Sequence, residues 1–219
     1  MNGNERLSAI DNKKTFGAFA FVIGVLSILF ILESLRPLPA PAERFAFFLS
    51  HRGDFLSFAA LVLTWAVLSI PFVVALGAVL RPRGPGLSQA GTILSAIGIS
   101  LLAFGTFTYV GAMLSITAVA NPPNPAEEAY QAAIWSNLSF FLSDPGLMTW
   151  GLGMLLFGRL AWRSGILPNW LAIVGIVGGL AGLLTLLVYQ TPVLALLQFA
   201  CFAVWGIAAG VLMIRSQPG

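Results

Sequence analysis

Six stretches, each about as long as a bilayer is thick and mostly apolar, recur along this chain between short connections rich in proline, glycine and charge. A helix needs about 20 such residues to cross the hydrocarbon core, where every backbone polar group must be satisfied internally. The pattern predicts spans at about 16–35, 55–80, 89–118, 145–162, 169–189 and 193–214. Together they make one domain over 16–214, with cytoplasmic tails at 1–15 and 215–219. Hydrophobic residues make up 58% of the 219 positions and charged residues 9%, and mean hydropathy is +0.91. Such a chain is neither a soluble enzyme nor disordered, and the single Cys201 excludes an internal disulfide scaffold. The expected fold class is all-α, a polytopic transmembrane bundle of six helices with two short amphipathic interfacial helices on the outer side.

Punctuation within the pattern sets the expected boundaries. Pro71 interrupts the second span and predicts a kink, while the third is long enough to tilt or project. Asp144-Pro145 reads as an N-cap followed by proline at the first helical position, so the fourth span is expected to begin there. Pro168 and Pro192 precede the fifth and sixth. Of the outer connections, 42–50 carries Phe45, Phe48 and Leu49 at helical spacing, with Glu43, Arg44, His51 and Arg52 at its margins. The other follows the Pro-rich stretch 121–125, and in it Tyr130, Ile134, Leu138 and Phe141 recur along one helical face after Glu127-Glu128. Both read as helices lying in the outer interface.

Basic residues give the orientation. Arg6, Lys13, Lys14, Arg81, Arg83, Arg159, Arg163 and Arg215 fall on one side of the spans, and Arg36, Arg44 and Arg52 on the other. By the positive-inside rule both termini are expected in the cytoplasm. Trp162 and Trp170 flank a connection on that side and Tyr189 marks an outer helix end, where amphipathic rings belong. Ala40-Pro41-Ala42 imitates a signal-peptidase site, but the apolar run before it exceeds a signal-peptide core, so the first span is expected to stay as an anchor. With 11 basic residues spread over the chain there is no nucleic-acid patch.

No P-loop, Gly-x-Ser-x-Gly, His-Glu-x-x-His or paired cysteines occur. The only histidine, His51, lies in an outer connection, which argues against His-ligated haem or chlorophyll; no metal and no other cofactor is expected. Glu33, Asp54 and Asp144 are at outer helix ends and Arg81, Arg159 and Arg163 at inner ends, leaving no acid or base at mid-span to mark a transport pathway. An uncharged polar set remains in the outer half. Gln198, Cys201 and Trp205 share a face of the sixth span; Asp54, Ser57 and Thr64 fall in one arc of the second; Thr106 and Tyr109 share a face of the third. If these faces converge, they line an outward pocket with Glu33 and Asp144 at its mouth, suited to a lipid, quinone or carotenoid. The plainer reading makes the two aspartates helix caps, the hydroxyls bonds to their own helices, and Cys201 and Trp205 core.

Glycine spacing speaks of packing. Gly91, Gly98 and Gly105 are seven apart, and Gly175/Gly179, Gly178/Gly182 and Gly206/Gly210 are four apart. Such rows let helices approach closely, and a compact bundle is the simpler explanation than a seam joining a membrane-protein partner or a second copy.

The stretch 146–183 reads GLMTWGLGMLLFGRLAWRSGILPNWLAIVGIVGGLAGL. Its glycine-punctuated helix, the Arg-Ser-Gly-x-Leu-Pro connection at 163–168 and its second glycine-rich helix resemble bacterial six-helix membrane proteins grouped under a domain of unknown function. The resemblance implies the architecture and a bacterial inner membrane, and it brings no catalytic residues with it. Arg159 and Arg163, four apart, would sit at the anionic inner leaflet beside that connection. Three functions are weighed: a non-enzymatic accessory or scaffolding subunit of a membrane assembly, a carrier of a small hydrophobic ligand, and, last, an intramembrane enzyme for which no nucleophile and base pair up.

Overall fold

A computed structural model of the chain describes residues 3–35, 47–48, 50–119, 125–187 and 192–215. All regular structure among them is helical: α1 Gly3–Ser34, α2 Arg52–Leu80, a 3-10 turn Arg81–Arg83, α3 Pro85–Val119, α4 Pro125–Ser164, α5 Asn169–Leu187 and α6 Pro192–Arg215. Three of the six helices open on a proline, whose missing N–H is an orphan in a first turn anyway. The turn into α5 is fastened by Pro168, whose carbonyl accepts from the N–H groups of Leu171 and Ala172. At the end of α4, Gly165 takes the left-handed conformation (φ 64°), and its N–H reaches the Ala161 carbonyl at 3.2 Å.

Each helix packs on its neighbours in sequence, and α6 returns to α1, which closes a ring of antiparallel neighbours. Among the described residues five helices are long and apolar enough to cross a membrane, at Phe16–Ser34, Arg52–Arg83, Pro85–Ile116, Tyr130–Ser164 and Val193–Leu212. Asn169–Thr185 in α5 is a shorter apolar helix. The whole of α5 is 19 residues, about 28 Å at 1.5 Å per residue. The chain is a multi-pass helical membrane protein.

The ring is filled by aromatic side chains. Trp65 of α2 and Trp150 of α4 meet edge to face at 5.4 Å between centroids, and Phe202 of α6 lies 4.8 Å from Trp150. Phe199 contacts Trp65, Trp150 and Phe30 of α1. Edge-to-face pairs of this kind add roughly 0.5–1.5 kcal/mol each beyond the area they bury. The Trp65 indole N–H donates to Ser27 Oγ at 2.8 Å, and that hydroxyl donates to the Ile23 carbonyl, so a polar tip is satisfied inside an apolar core.

Three boundaries differ from those the sequence predicts. α4 runs unbroken for 40 residues with Pro145 inside it, so Asp144 is no N-cap and the amphipathic segment before it is the first half of the same helix. A proline in a helix removes one donor and no more when neighbours hold both flanks, and here α3 packs on both sides of the site, through Ser139 and Ser143 before it and Gly146 after it. α2 begins at Arg52 with His51 as its N-cap, which places Asp54 in the first turn, where a negative charge meets the positive helix end. α1 begins at Gly3, so helix continues into the expected tail. Pro71 sits inside α2, and the helix continues through it. The expected outer helix over 42–50 falls mostly outside the described residues, as do Tyr189 and the connection 121–124.

Candidate functional site

The polar face of α6 is present as expected, but it is a packing face. Gln198, Cys201 and Trp205 are buried, and each lies over a glycine of α5: Gln198 on Gly182, Cys201 on Gly178 and Trp205 on Gly175. A methyl group at Gly182 would come within 2.7 Å of the Gln198 amide, which would have to shift. Gln198 is 0% exposed and its Nε2 donates across to the Leu147 carbonyl of α4 at 3.0 Å. Its Oε1 has no partner among the described residues. The Trp205 indole N–H donates to the Leu171 carbonyl of α5. These three side chains stitch α4, α5 and α6 together.

The remaining members of the predicted pocket do not join them. Asp54, Ser57 and Thr64 are exposed on α2, and Thr64 Oγ1 donates back to the Ala60 carbonyl at 2.8 Å. Thr106 is half-buried and donates to its own helix at Leu102. Tyr109 packs beside a small separate cluster of Phe48, Met113 and Ile116, together with Phe55 and Ala132. Asp144 is half-buried within α4. His51 is held locally, its Nδ1 within 2.9 Å of Ser50 Oγ and its ring stacked on Phe47. Among the described residues no three His, Cys, Asp or Glu side chains gather as metal ligands.

Every predicted glycine row is used within the chain. Gly91, Gly98 and Gly105 of α3 face Phe157, Trp150 and Ser143 of α4. Gly179 meets the Gly151 carbonyl, while Gly206 and Gly210 receive the backbone of α1 at Ala20 and Gly17. Sequence reasoning missed the second half of this pattern, on α4. Gly146 and Gly153 face α3, whereas Gly151 and Gly158 face α5. Five residues separate Gly146 from Gly151, which at 100° per residue puts the two rows about 140° apart. The signal was there in the spacing of the glycines of 146–158, since two rows on opposite faces mean a helix with close neighbours on both sides. Trp150 and Phe199, at the centre of the core, were also missed, because an aromatic at mid-span has no periodicity of its own.

The outer face of the first half of α4 has no partner among the described residues. The predicted stripe of α4 points outward: Tyr130 is 68% and Phe141 75% exposed, and Ile134 and Leu138 are exposed between them. Its helix measures about 60 Å at 1.5 Å per residue, twice the hydrocarbon thickness. Counted from Arg163, about 20 residues bring the chain to Asp144 at the far interface. The part of α4 before it therefore extends beyond a hydrocarbon core of that thickness. It runs beside the end of α3, and Ser139 Oγ donates to the Gly105 carbonyl at 2.8 Å where the pair begins. The result is a helical hairpin, Thr106 to Val119 and Pro125 to Leu142, with one apolar face packed on Phe48 and Phe55 and the other exposed among the described residues.

The family described as Domain of unknown function (DUF4386) matches residues 16–216, and the chain belongs to it. No curated protein and no solved structure matches the chain.

Proposed function

We propose that this member of the DUF4386 family is a non-enzymatic accessory or scaffolding subunit of a larger assembly in a bacterial inner membrane, with both termini in the cytoplasm. The observation that carries the reading is the hairpin built by α3 and α4, whose outer stripe of Tyr130, Ile134, Leu138 and Phe141 is exposed among the described residues. Apolar exposure inside the hydrocarbon is ordinary, but a stripe beyond it must be covered by headgroup-level lipid or by protein. The filled interior favours a structural role over a carrier, because Trp65, Trp150, Phe199 and Phe202 occupy the place where a ligand would lie. An assembled subunit also needs a rigid frame, which glycine rows on four of the six helices supply.

Native mass spectrometry after gentle extraction is expected to find the chain with a stoichiometric protein companion. Replacing Tyr130 and Phe141 by Ser should release that companion while leaving helix content and the monomer unchanged, since neither ring is buried. A monomer with no companion in the wild type sinks the reading. A retained quinone or carotenoid would favour the carrier instead.

A further inference from the structure

On the lipid-facing side of the bundle, at the end opposite the hairpin, α4 and α5 border an open groove of about 400 Å³ lined by Leu155, Arg159, Trp162, Arg163 and Ile176. Its volume lies in the range of small-molecule clefts. We propose that this groove is a binding site for an anionic glycerophospholipid of the adjoining leaflet, with the phosphate held between the two guanidinium groups.

The order of the side chains carries the argument. Leu155, Arg159 and Arg163 are four apart and form one stripe along α4, so each step moves about 6 Å toward the membrane surface. The groove is apolar where acyl chains lie, at Leu155 and Ile176, and cationic where a phosphate lies. Trp162, half exposed on the same wall, stands at the level where indole rings anchor in a bilayer. Both arginines are exposed, which leaves their planar forks open to a bidentate phosphate contact. Among the described side chains every carboxylate, Glu33, Asp54, Glu127 and Asp144, sits toward the other end of the bundle. None of these four neutralises the arginines, and basic pockets between transmembrane helices take anionic headgroups. A neutral lipid would satisfy the apolar floor and leave both guanidiniums without a net counter-charge.

The test uses the full chain in a neutral detergent, titrated with phosphatidylglycerol or with phosphatidylcholine of identical chains and read by native mass spectrometry. The wild type should retain phosphatidylglycerol up to about thirtyfold better, as expected for two basic groups at a headgroup. The pair Arg159→Gln with Arg163→Gln should bring the two lipids to parity, whereas Arg81→Gln with Arg83→Gln, at the same end of the bundle, should leave the preference intact. Ile176→Trp fills the groove without touching its charge and should lower phosphatidylglycerol retention, an independent check should the glutamine pair fail to fold. Equal retention of both lipids by the wild type overturns the proposal. So does an undiminished preference in the glutamine pair, undiminished phosphatidylglycerol retention in Ile176→Trp, or an equal loss on neutralising Arg81 and Arg83.

Discussion

A glycine facing another helix and a glycine facing nothing are the same letter in a sequence, yet they differ by several kcal/mol in what a methyl group would cost. At Gly98 an added Cβ would stand 2.5 Å from the Gly146 carbonyl and closer still to the backbone nitrogen of Trp150. Neither atom belongs to a flexible side chain, so α3 and α4 would have to separate. At Gly111, on the same helix, a Cβ meets nothing within 4 Å. We therefore expect Gly98→Ala to lower stability by roughly 1–3 kcal/mol, as overpacking does, and Gly111→Ala to be neutral or stabilising by up to about 1 kcal/mol through helix propensity. The shift of the unfolding midpoint in detergent measures both, and equal midpoints would mean that the α3–α4 seam is not close-packed. The α6 face shows the same limit on reading residues singly. The spacing of Gln198, Cys201 and Trp205 was enough to place them together, and that of Gly175, Gly178 and Gly182 to mark a row. What spacing does not carry is that the row lies under the face, because a polar stripe facing a ligand and one facing a glycine seam have the same period.

Among the elements, α4 departs furthest from its local signals. Asp followed by Pro is a strong start for a helix, and a Pro-rich stretch with a short amphipathic pattern ahead of it completes the appearance of two helices. Packing against α3 overrides this, because Ser139, Ser143, Gly146, Trp150 and Gly153 present one continuous small-and-aromatic face to the Gly91, Gly98 and Gly105 row. Thr149 Oγ1, donating to the Pro145 carbonyl at 2.7 Å, ties the turn after the proline. Continuity has a measurable length. Spin labels at Ala133 and Arg159, both exposed, stand 26 residues apart, which in a straight helix is about 39 Å along the axis. A right-angled break at Pro145, with an interfacial arm folded onto the membrane surface, would shorten this to about 28 Å. Double electron–electron resonance in a reconstituted sample is expected to report the longer distance, with the shorter one returning the segment before Asp144 to a separate interfacial helix. Starts set by proline alone, at Asn169 after Pro168 and at Pro192, were legible because no neighbour opposes them.

At the scale of the molecule, the apolar lengths were enough to predict six antiparallel helices, and the structure adds how they close: sequence neighbours pack in turn and α6 lies on α1. Nothing in the pattern of a single span announces its partner across the ring, so Trp65 meeting Trp150 and Phe199 was beyond it. The ring does fix which connections share an end. Arg81 and Arg83 between α2 and α3, and Arg163 in the last turn of α4, lie at the end where α1 starts and α6 finishes. Glu33 and Asp54 lie at the other. Basic residues in short connections are retained in the cytoplasm during insertion, and acidic ones contribute little, so the eight-to-three asymmetry of Lys and Arg governs. A reporter active only in the cytoplasm should accordingly work when fused at Gly219 and fail when inserted in the 121–124 connection, and a reporter active only outside should do the reverse. Reversing the charge bias tests the cause as well as the result. Replacing Arg81, Arg83, Arg159 and Arg163 together by Gln removes half of the eight and leaves four against three, and this should produce a mixed population in which both reporters signal at Gly219. A single orientation that survives that change would mean that orientation is set elsewhere, by the helix ends or by a partner bound during insertion. Equal signals at the two sites in the wild type would mean an even number of crossings between them, two and not three, and α5, the shortest of the six helices, would then be the one that does not cross.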